Sequence, residues 1–391
     1  MTGKKIYIIA GKRTPFGKFG GSLAQMTPVD LAVNCSQEAM NEAGVKPESI
    51  DHVILGNVVP SSTDTLYGAR HLTLKLGIPQ EVPGYVLNRL CGSGIQVMWE
   101  ARNMIAQDEA SCVLVSGTEN MSMVPHLTYG GRFGTKYGAL KNVDMLLDAL
   151  RDKYTGITMG ETAEKLAKEY GISREDCDQF SYESHKKANM AYDNGFLQGE
   201  LTKIELKKHT CERDEHLRTD VSLEGMAKLR PSFESNGTVT PGSASGIVDG
   251  ASSIIIASED YCNKHGITPL AEILDFSVVG VDPTIMGIGP VPAIRQLLEK
   301  NNKSLSDIDL IEINEAFAAQ ALSCQKELQI PKEKLNIWGG AIALGHPLAA
   351  SGTRIAFTLA RQLKQTSSEI GIASACIGGG QGIGVLLKNV K

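Results

Sequence analysis

Four short segments of the chain hold residue types suited to moving an acyl group. Asn88-Arg89-Leu90-Cys91-Gly92-Ser93-Gly94 places a cysteine between an extended run, Tyr85-Val86-Leu87, and a helical one, Ile95–Ala106. A thiol at a strand-to-helix turn meets helix N-terminal amides, whose partial positive charge favours the thiolate and can bind an oxyanion. Gly92 and Gly94 let backbone or substrate come close. Gly339 to Pro347 carries His346 in a glycine-bracketed turn stiffened by Pro347, a setting that suits a general base. Ala373 to Gly382 puts Cys376 at a strand end before Gly378-Gly379-Gly380, whose N–H groups suit an oxyanion hole. Asn314-Glu315-Ala316-Phe317 closes a further strand, and its polar head suits a water or a carbonyl. Taken singly, each segment also fits ordinary packing, since cysteines and lone histidines are common in cores. Taken together they supply a nucleophile, a base, donors for a carbonyl oxygen and a second acid/base group, the set that acyl transfer needs.

The elements that must hold these residues repeat. Leu90-Cys91-Gly92-Ser93-Gly94 lies on Leu348-Ala349-Ala350-Ser351-Gly352 with one offset of 258 positions (352 minus 94), and the same offset puts Ile50-Asp51 on Ile308-Asp309 and Ser116 on Ser374. Val53–Asn57 and Leu310–Asn314 are both apolar strands that end in asparagine, and Ser111–Ser116 and Glu369–Ser374 are both short β-like runs. Amphipathic helices at Leu31–Ala43 and Ala293–Lys300 complete a strand–helix alternation in each half, which predicts parallel sheets covered by helices and sites at strand ends. The expected organisation is an N-terminal half over 1–118, an insert over 119–250 and a C-terminal half over 251–391. The insert opens in a loop, Met121–Leu140, passes through helices at Met159–Tyr170 and after the N-cap Ser173, and reaches a basic stretch, Lys203–Arg230. That stretch reads either as a solvated face or as a lid over a phosphorylated carrier.

Bulk properties exclude several classes. The net charge of −5 leaves no global attraction for nucleic acid or an anionic membrane. No apolar run reaches the about 18 residues of a spanning helix. The apolar start Ile6–Ala10 is too short for a signal peptide and reads as a strand. The eight cysteines include no C-x-x-C pair, so neither a zinc site nor a dithiol centre is expected, and reduced thiols point to the cytoplasm.

The sequence resembles the thiolases, essentially end to end. The motifs that carry the resemblance are Arg13-Thr14-Pro15-Phe16-Gly17, Asn88 to Gly94, Met286-Gly287-Ile288-Gly289-Pro290, Asn314 to Phe317, Gly339 to Pro347 and Cys376 to Gly380. The resemblance implies a duplicated five-layered α-β-α-β-α core with an inserted loop domain that holds coenzyme A. It implies a dimer or a homotetramer, a dimer of dimers, with Met121–Leu140 matching the region of the tetramer contacts. By the same resemblance, Cys91 carries the acyl group, and His346 activates it and helps bind a thioester oxygen with a water held by Asn314. Cys376 moves the α-carbon proton, and the N–H groups of Cys91 and Gly378 hold the acyl oxygen. Arg218, Ser245, Leu150, Met159, Phe233 and Met286 match coenzyme A and tunnel contacts, and no metal or other cofactor is implied. Departures from the family pattern are Thr158 for a histidine, Gly225 for a serine, Ser243 and Val248 for asparagines, Pro241 for an alanine, and Ala349 for a glycine. The resemblance implies an acetyl-CoA C-acetyltransferase that joins two acetyl-CoA to acetoacetyl-CoA. A degradative 3-ketoacyl-CoA thiolase for longer chains is the alternative that Thr158 keeps open. A non-catalytic thiolase-like scaffold is the third reading, and it would be expected to lack Cys91, His346 or Cys376.

Overall fold

The computed structural model describes residues 3–390. Its strands and helices, in chain order, are β1 (Ile6–Arg13), α1 (Pro28–Ala43), β2 (His52–Gly56), α2 (Gly68–Lys75), β3 (Gly84–Leu87), α3 (Ser93–Ala106) and β4 (Cys112–Asn120). After the insert, which holds α4 (Met159–Tyr170) and α5 (Arg174–Asp193), come β5 (Val248–Ser258), β6 (Ala271–Gly280) and α6 (Pro290–Lys300). The chain closes with β7 (Leu310–Ile313), α7 (Ala318–Leu328), α8 (Leu348–Gln365), β8 (Ile370–Ile377) and β9 (Gln381–Asn389).

The strand order is β7-β8-β9-β6-β1-β5-β4-β2-β3, with the two-residue strand Gly17–Lys18 beside β5. From the β6–β1 pair outward the counterparts β6/β1, β9/β5, β8/β4 and β7/β2 follow in the same order, and only β3, at the N-terminal edge, lacks a matching strand; at the junction Tyr7 faces Glu272 and Ile8 faces Ala271 in antiparallel register. The repeat is kept down to single hydrogen bonds. In one half His52 of β2 pairs with Val113 of β4; in the other Leu310 of β7 pairs with Gly371 of β8, both in parallel register at the same offset. Asp51 Oδ2 accepts from the N–H groups of Ser111 and Cys112 at 2.7 and 3.0 Å, and Asp309 Oδ2 from those of Glu369 and Ile370 at 2.8 and 3.0 Å. Two aspartates thus tie their strand pairs in the same way, which chance identities would not produce.

Five layers follow from the packing. Leu31, Ala39 and Met40 of α1, with Leu72 of α2, cover one outer face against Leu55, Leu114 and Ile255. Ile294 and Leu297 of α6 cover the other against Ile311, Ile372 and Leu386. Between the half-sheets run α3 and α8, and one continuous core joins Ile95 and Met98, Ile355 and Leu359, Ile54 and Val115, and Ala375 and Ile383. Nearly all of α8 is buried, as a helix enclosed on every side must be. The expected thiolase-like layering is therefore present. Strand β5 follows the insert in sequence, yet it pairs with β1 and β4 and completes the N-terminal half-sheet.

The insert is anchored by polar and apolar contacts. Arg13, fully buried at the end of β1, donates to both oxygens of Asp214 at 2.7 and 2.9 Å and to Glu200 at 3.1 Å. Tyr192 Oη donates to the same Asp214 at 2.7 Å. Removing one partner would strand a buried charge, a loss of about 3–5 kcal/mol. Ala167 of α4 and Cys177 of α5 pack on Ala318 and Ala319 of α7. Among the described residues no helix is long and apolar enough to cross a membrane.

Candidate active site

Cys91 sits where the chain turns from β3 into α3. Leu90 adopts φ 49°, a left-handed conformation that costs a branched residue energy and persists only where its surroundings enforce it. They do so here: Leu90 N–H donates to Asn88 Oδ1 at 2.8 Å, Arg89 N–H to Ser93 Oγ at 2.8 Å, and Ser93 Oγ to the Leu90 carbonyl at 2.7 Å. Asn88 Nδ2 fastens the turn to the Val58 carbonyl at 2.9 Å. A Cβ on Gly92 would lie 2.5 Å from Ile377 Cδ1, so glycine is what allows β8 to approach the turn. Of the eight cysteines only Cys91 is not buried.

The turn also lies against Gly378, where a Cβ would stand 3.6 Å from Leu90 Cδ1. The backbone N–H groups of Cys91 and Gly378, the pair expected to hold the acyl oxygen, thus belong to neighbouring turns. Desolvation nonetheless pushes the thiol up to about 11; the two amides work against it, and the charge of Glu119 adds to it. The expectation that helix amides would leave Cys91 an acidic thiol is corrected here. The amides are present, but the loss of water around the sulfur outweighs them. Cys376, at the end of β8, is fully buried, and its thiol is pushed well up by burial and then by the neighbouring sulfur of Cys91.

His346 is 6% exposed, and burial together with the charge of Arg354 holds it down to about 3. It is therefore a neutral imidazole, able to take a proton. Its Nδ1 shares a 2.5 Å hydrogen bond with Ser351 Oγ. Asn314 Nδ2 lies 3.4 Å from Nε2 and 3.5 Å from Nδ1, while Asn314 Oδ1 is buried without a protein partner. Leu348 and Ala349, just after His346-Pro347, pack with Leu90 and Cys91 in one cluster. Sequence reasoning passed over Ser351, although the repeat places it on Ser93. Each of the two serines fixes the catalytic turn of its own half.

The remaining candidates lie apart: Leu150, Met159 and Met286 belong to clusters that include Cys91 or Cys376, whereas Arg218 lines a cleft whose walls include none of Cys91, His346 and Cys376. Met159 Sδ would stand 3.2 Å from a Cβ on Gly378, and Met286 packs with Cys376 and Phe317. Leu150 packs beside Cys91. The half-exposed Phe233 meets Phe317 edge to face at 6.2 Å, and its ring covers Gly160. Ser245 N–H donates to the Ala316 carbonyl, and His346 N–H to the Gly246 carbonyl, both at 3.0 Å. The Ser245-Gly246 segment thus lies between the Asn314 and His346 loops. Arg218 is exposed at the rim of a cleft of about 440 Å³ shared with His185, His216, Gly225, Pro241 and Ile342. Two of the departures from the family pattern, Gly225 and Pro241, therefore face this cleft. Thr158 is the N-cap of α4: its hydroxyl accepts the Glu161 N–H at 3.3 Å and donates to Glu161 Oε2 at 2.7 Å. Among the described residues no group of three or more His, Cys, Asp or Glu is placed to hold a metal.

A cysteine turn packed on a glycine-rich strand end, a neutral buried imidazole and a second thiol are groups suited to acyl transfer. Residues 6–260 match "Thiolase, N-terminal domain" and residues 267–389 match "Thiolase, C-terminal domain". The chain belongs to the thiolase family, and its substrates are coenzyme A thioesters, handled without a metal or prosthetic cofactor. A mitochondrial 3-ketoacyl-CoA thiolase of Bos taurus is 47% identical over 389 residues, 98% of each chain. A probable acetyl-CoA acyltransferase of Staphylococcus aureus is 43% identical over 99% of this chain and 100% of its own. The crystal structure of human mitochondrial 3-ketoacyl-CoA thiolase in complex with CoA superposes with a TM-score of 0.97 at 46% identity, covering 99% of this chain and 98% of that one. The cytoplasmic placement expected from the cysteines does not stand, because mammalian relatives matching over 98% of the chain are mitochondrial proteins. Reduced thiols separate oxidising from reducing compartments and do not choose among the reducing ones.

Proposed function

We propose that this thiolase is a 3-ketoacyl-CoA thiolase that cleaves chains longer than four carbons, rather than an enzyme confined to acetoacetyl-CoA. In the cleavage direction Cys91, deprotonated by His346, attacks the 3-keto carbon. The C2–C3 bond breaks, the acyl group stays on Cys91, and the leaving acetyl-CoA enolate takes a proton from Cys376. The thiol of coenzyme A then gives its proton to the Cys376 thiolate and attacks the acyl-Cys91 carbonyl; the bond from that carbonyl to Cys91 breaks, the leaving Cys91 sulfur takes back the proton held by His346, and the shortened acyl-CoA is freed. The N–H groups of Cys91 and Gly378 hold the acyl oxygen, and His346 with Asn314 faces the thioester oxygen. Arg218 and Ser245 contact coenzyme A, with Leu150, Met159, Phe233 and Met286 along the tunnel. Condensation of two acetyl-CoA is the reverse of the same steps with the shortest acyl group.

The observation that supports the chemistry is the packing of the Cys91 turn on the Cys376–Gly378 strand end, where a Cβ on Gly92 would lie 2.5 Å from Ile377 Cδ1 and one on Gly378 3.6 Å from Leu90 Cδ1. The preference for longer chains is supported by full-length likeness to proteins named 3-ketoacyl-CoA thiolase, and by Thr158 standing where a histidine marks acetoacetyl-CoA enzymes. Self-association as a homotetramer is supported by Tyr129, Phe133 and Tyr137, which are 64%, 91% and 99% exposed in the insert's first loop. Thiolysis assays with 3-ketoacyl-CoA substrates from four carbons upward test the reading. Comparable or higher kcat/KM on longer chains is expected; activity on the four-carbon substrate alone would return the assignment to an acetoacetyl-CoA thiolase.

A further inference from the structure

Glu119, near the end of β4, is fully buried and forms no ion pair among the described residues. Burial raises its carboxyl to about 7 despite four hydrogen bonds. Its Oε1 accepts from Asn57 Nδ2 at 3.1 Å and from Val59 N–H at 2.9 Å. Its Oε2 accepts from Val58 N–H at 3.1 Å and from Ala349 N–H at 3.2 Å. An uncompensated buried carboxylate costs stability, so an apolar residue would serve a core that only needed filling. What the carboxylate provides is geometry: it is the side chain with two oxygens that only accept, matched here to four donors from two segments, Asn57–Val59 and Ala349.

Those segments are the ones that set the two reactive groups. The Asn57–Val59 loop receives Asn88, which fastens the Cys91 turn. Ala349 lies in the first turn of α8, three positions beyond His346. Gly117 of β4 brings that turn closer still, since a Cβ there would lie 2.1 Å from the Ala349 carbonyl oxygen. At the other end of the His346 loop a second buried carboxylate, Glu315, accepts from Ile342 N–H at 3.2 Å and from Asn336 Nδ2 at 2.9 Å. We propose that Glu119 is a positioning residue that holds His346 in register with Cys91, by tying the loop under the Cys91 turn and the first turn of α8 to the end of β4. This inference rests on the roles proposed above for Cys91 and His346.

The test compares the full-length protein with its Glu119→Gln variant, whose amide must turn an N–H toward backbone N–H donors. Expected is a fall in thiolysis kcat of about a hundredfold, the scale of a 1 Å misplacement, with KM for coenzyme A within about twofold of native. Alkylation of Cys91 by iodoacetamide, which needs no substrate and reads the only cysteine that is not buried, should slow in parallel. In a His346→Asn background, Glu119→Gln should slow alkylation no further, because the effect runs through the imidazole. Native rates in a folded Glu119→Gln protein, or further slowing in the His346→Asn background, would overturn the proposal. Should Glu119→Gln fail to fold, Glu119→Asp keeps both oxygens on a shorter stem; an intermediate loss supports the proposal and native rates overturn it. Absence of long-chain thiolysis in the native protein would instead strike the substrate reading and leave the alkylation result to stand by itself.

Discussion

Gly94 of α3 touches Gly352 of α8, its own counterpart in the internal repeat. A Cβ on Gly94 would lie 2.8 Å from Gly352 Cα and 2.4 Å from the Thr353 amide nitrogen; one on Gly352 would lie 2.9 Å from Gly94 Cα. The two central helices therefore cross backbone to backbone, just past the turns that carry Cys91 and His346. Gly94→Ala pushes against main chain, which cannot rotate out of the way, so a loss at the upper end of the about 1–3 kcal/mol range for overpacking is expected. Calorimetry of Gly94→Ala and Gly352→Ala should show both Tm values lowered, with kcat reduced in each folded variant. A fully active Gly94→Ala protein would show that the crossing does not set the site.

The two cysteines divide the reaction. Cys91→Ser should take up no acyl group, because a hydroxyl supplies no accessible anion near neutrality. Cys376→Ser should still accept an acetyl group from acetyl-CoA yet fail to complete a turnover. Mass spectrometry of the intact protein after mixing with acetyl-CoA reads both outcomes. An unmodified Cys376→Ser protein would mean that the two sulfurs do not have separate tasks.

With His346 held down to about 3 and Cys91 pushed up to about 11, neither group changes charge between those limits. Thiol and imidazole are then both neutral before reaction, and in the proposed mechanism the proton moves only as substrate is attacked. Rapid-quench acylation rates should accordingly stay nearly flat across the neutral range, falling in acid as His346 becomes protonated. Glu119, raised to about 7, is the exception: its protonation, like Glu119→Gln, turns a donor toward backbone N–H groups, so the rate should fall as it protonates, and that step should vanish in Glu119→Gln. A tenfold rise per pH unit from about 6 to 8, kept in that variant, would show that a preformed thiolate attacks and His346 does not act as base.

Thr158 has two separable tasks. As an N-cap with a reciprocal Glu161 contact, it should contribute about 1 kcal/mol, visible as a lower Tm in Thr158→Ala. It also precedes Met159, whose sulfur faces Gly378, so Thr158→His should shift the chain-length profile of thiolysis toward four carbons. An unchanged profile would assign Thr158 to helix capping alone.

Much of this was legible in the residues. The offset relating Cys91's segment to Ser351's predicted two matching halves, and those halves agree down to Asp51 and Asp309, each bonded to the two N–H groups at the start of the next strand. The helix starts at Ser173 and Thr158 follow from local hydroxyl chemistry, which needs only a few neighbours in sequence. The types of the reacting groups were legible for the same reason: thiol, imidazole and amide chemistry belongs to the side chain itself.

Contacts between distant segments, and the solvation they create, were decided by tertiary structure alone. No local pattern says that β5, beyond the insert, returns to the N-terminal half-sheet, because pairing partners depend on what the rest of the chain leaves open. Nothing beside Glu119 in the sequence marks it, since its donors come from Asn57, Val58, Val59 and Ala349. The clearest case is Cys91. Sequence placed helix amides beside the sulfur and suggested an acidic thiol, whereas the folded chain removes the water as well. Desolvation of an anion, a property of everything packed around it, outweighs two well-placed hydrogen bonds.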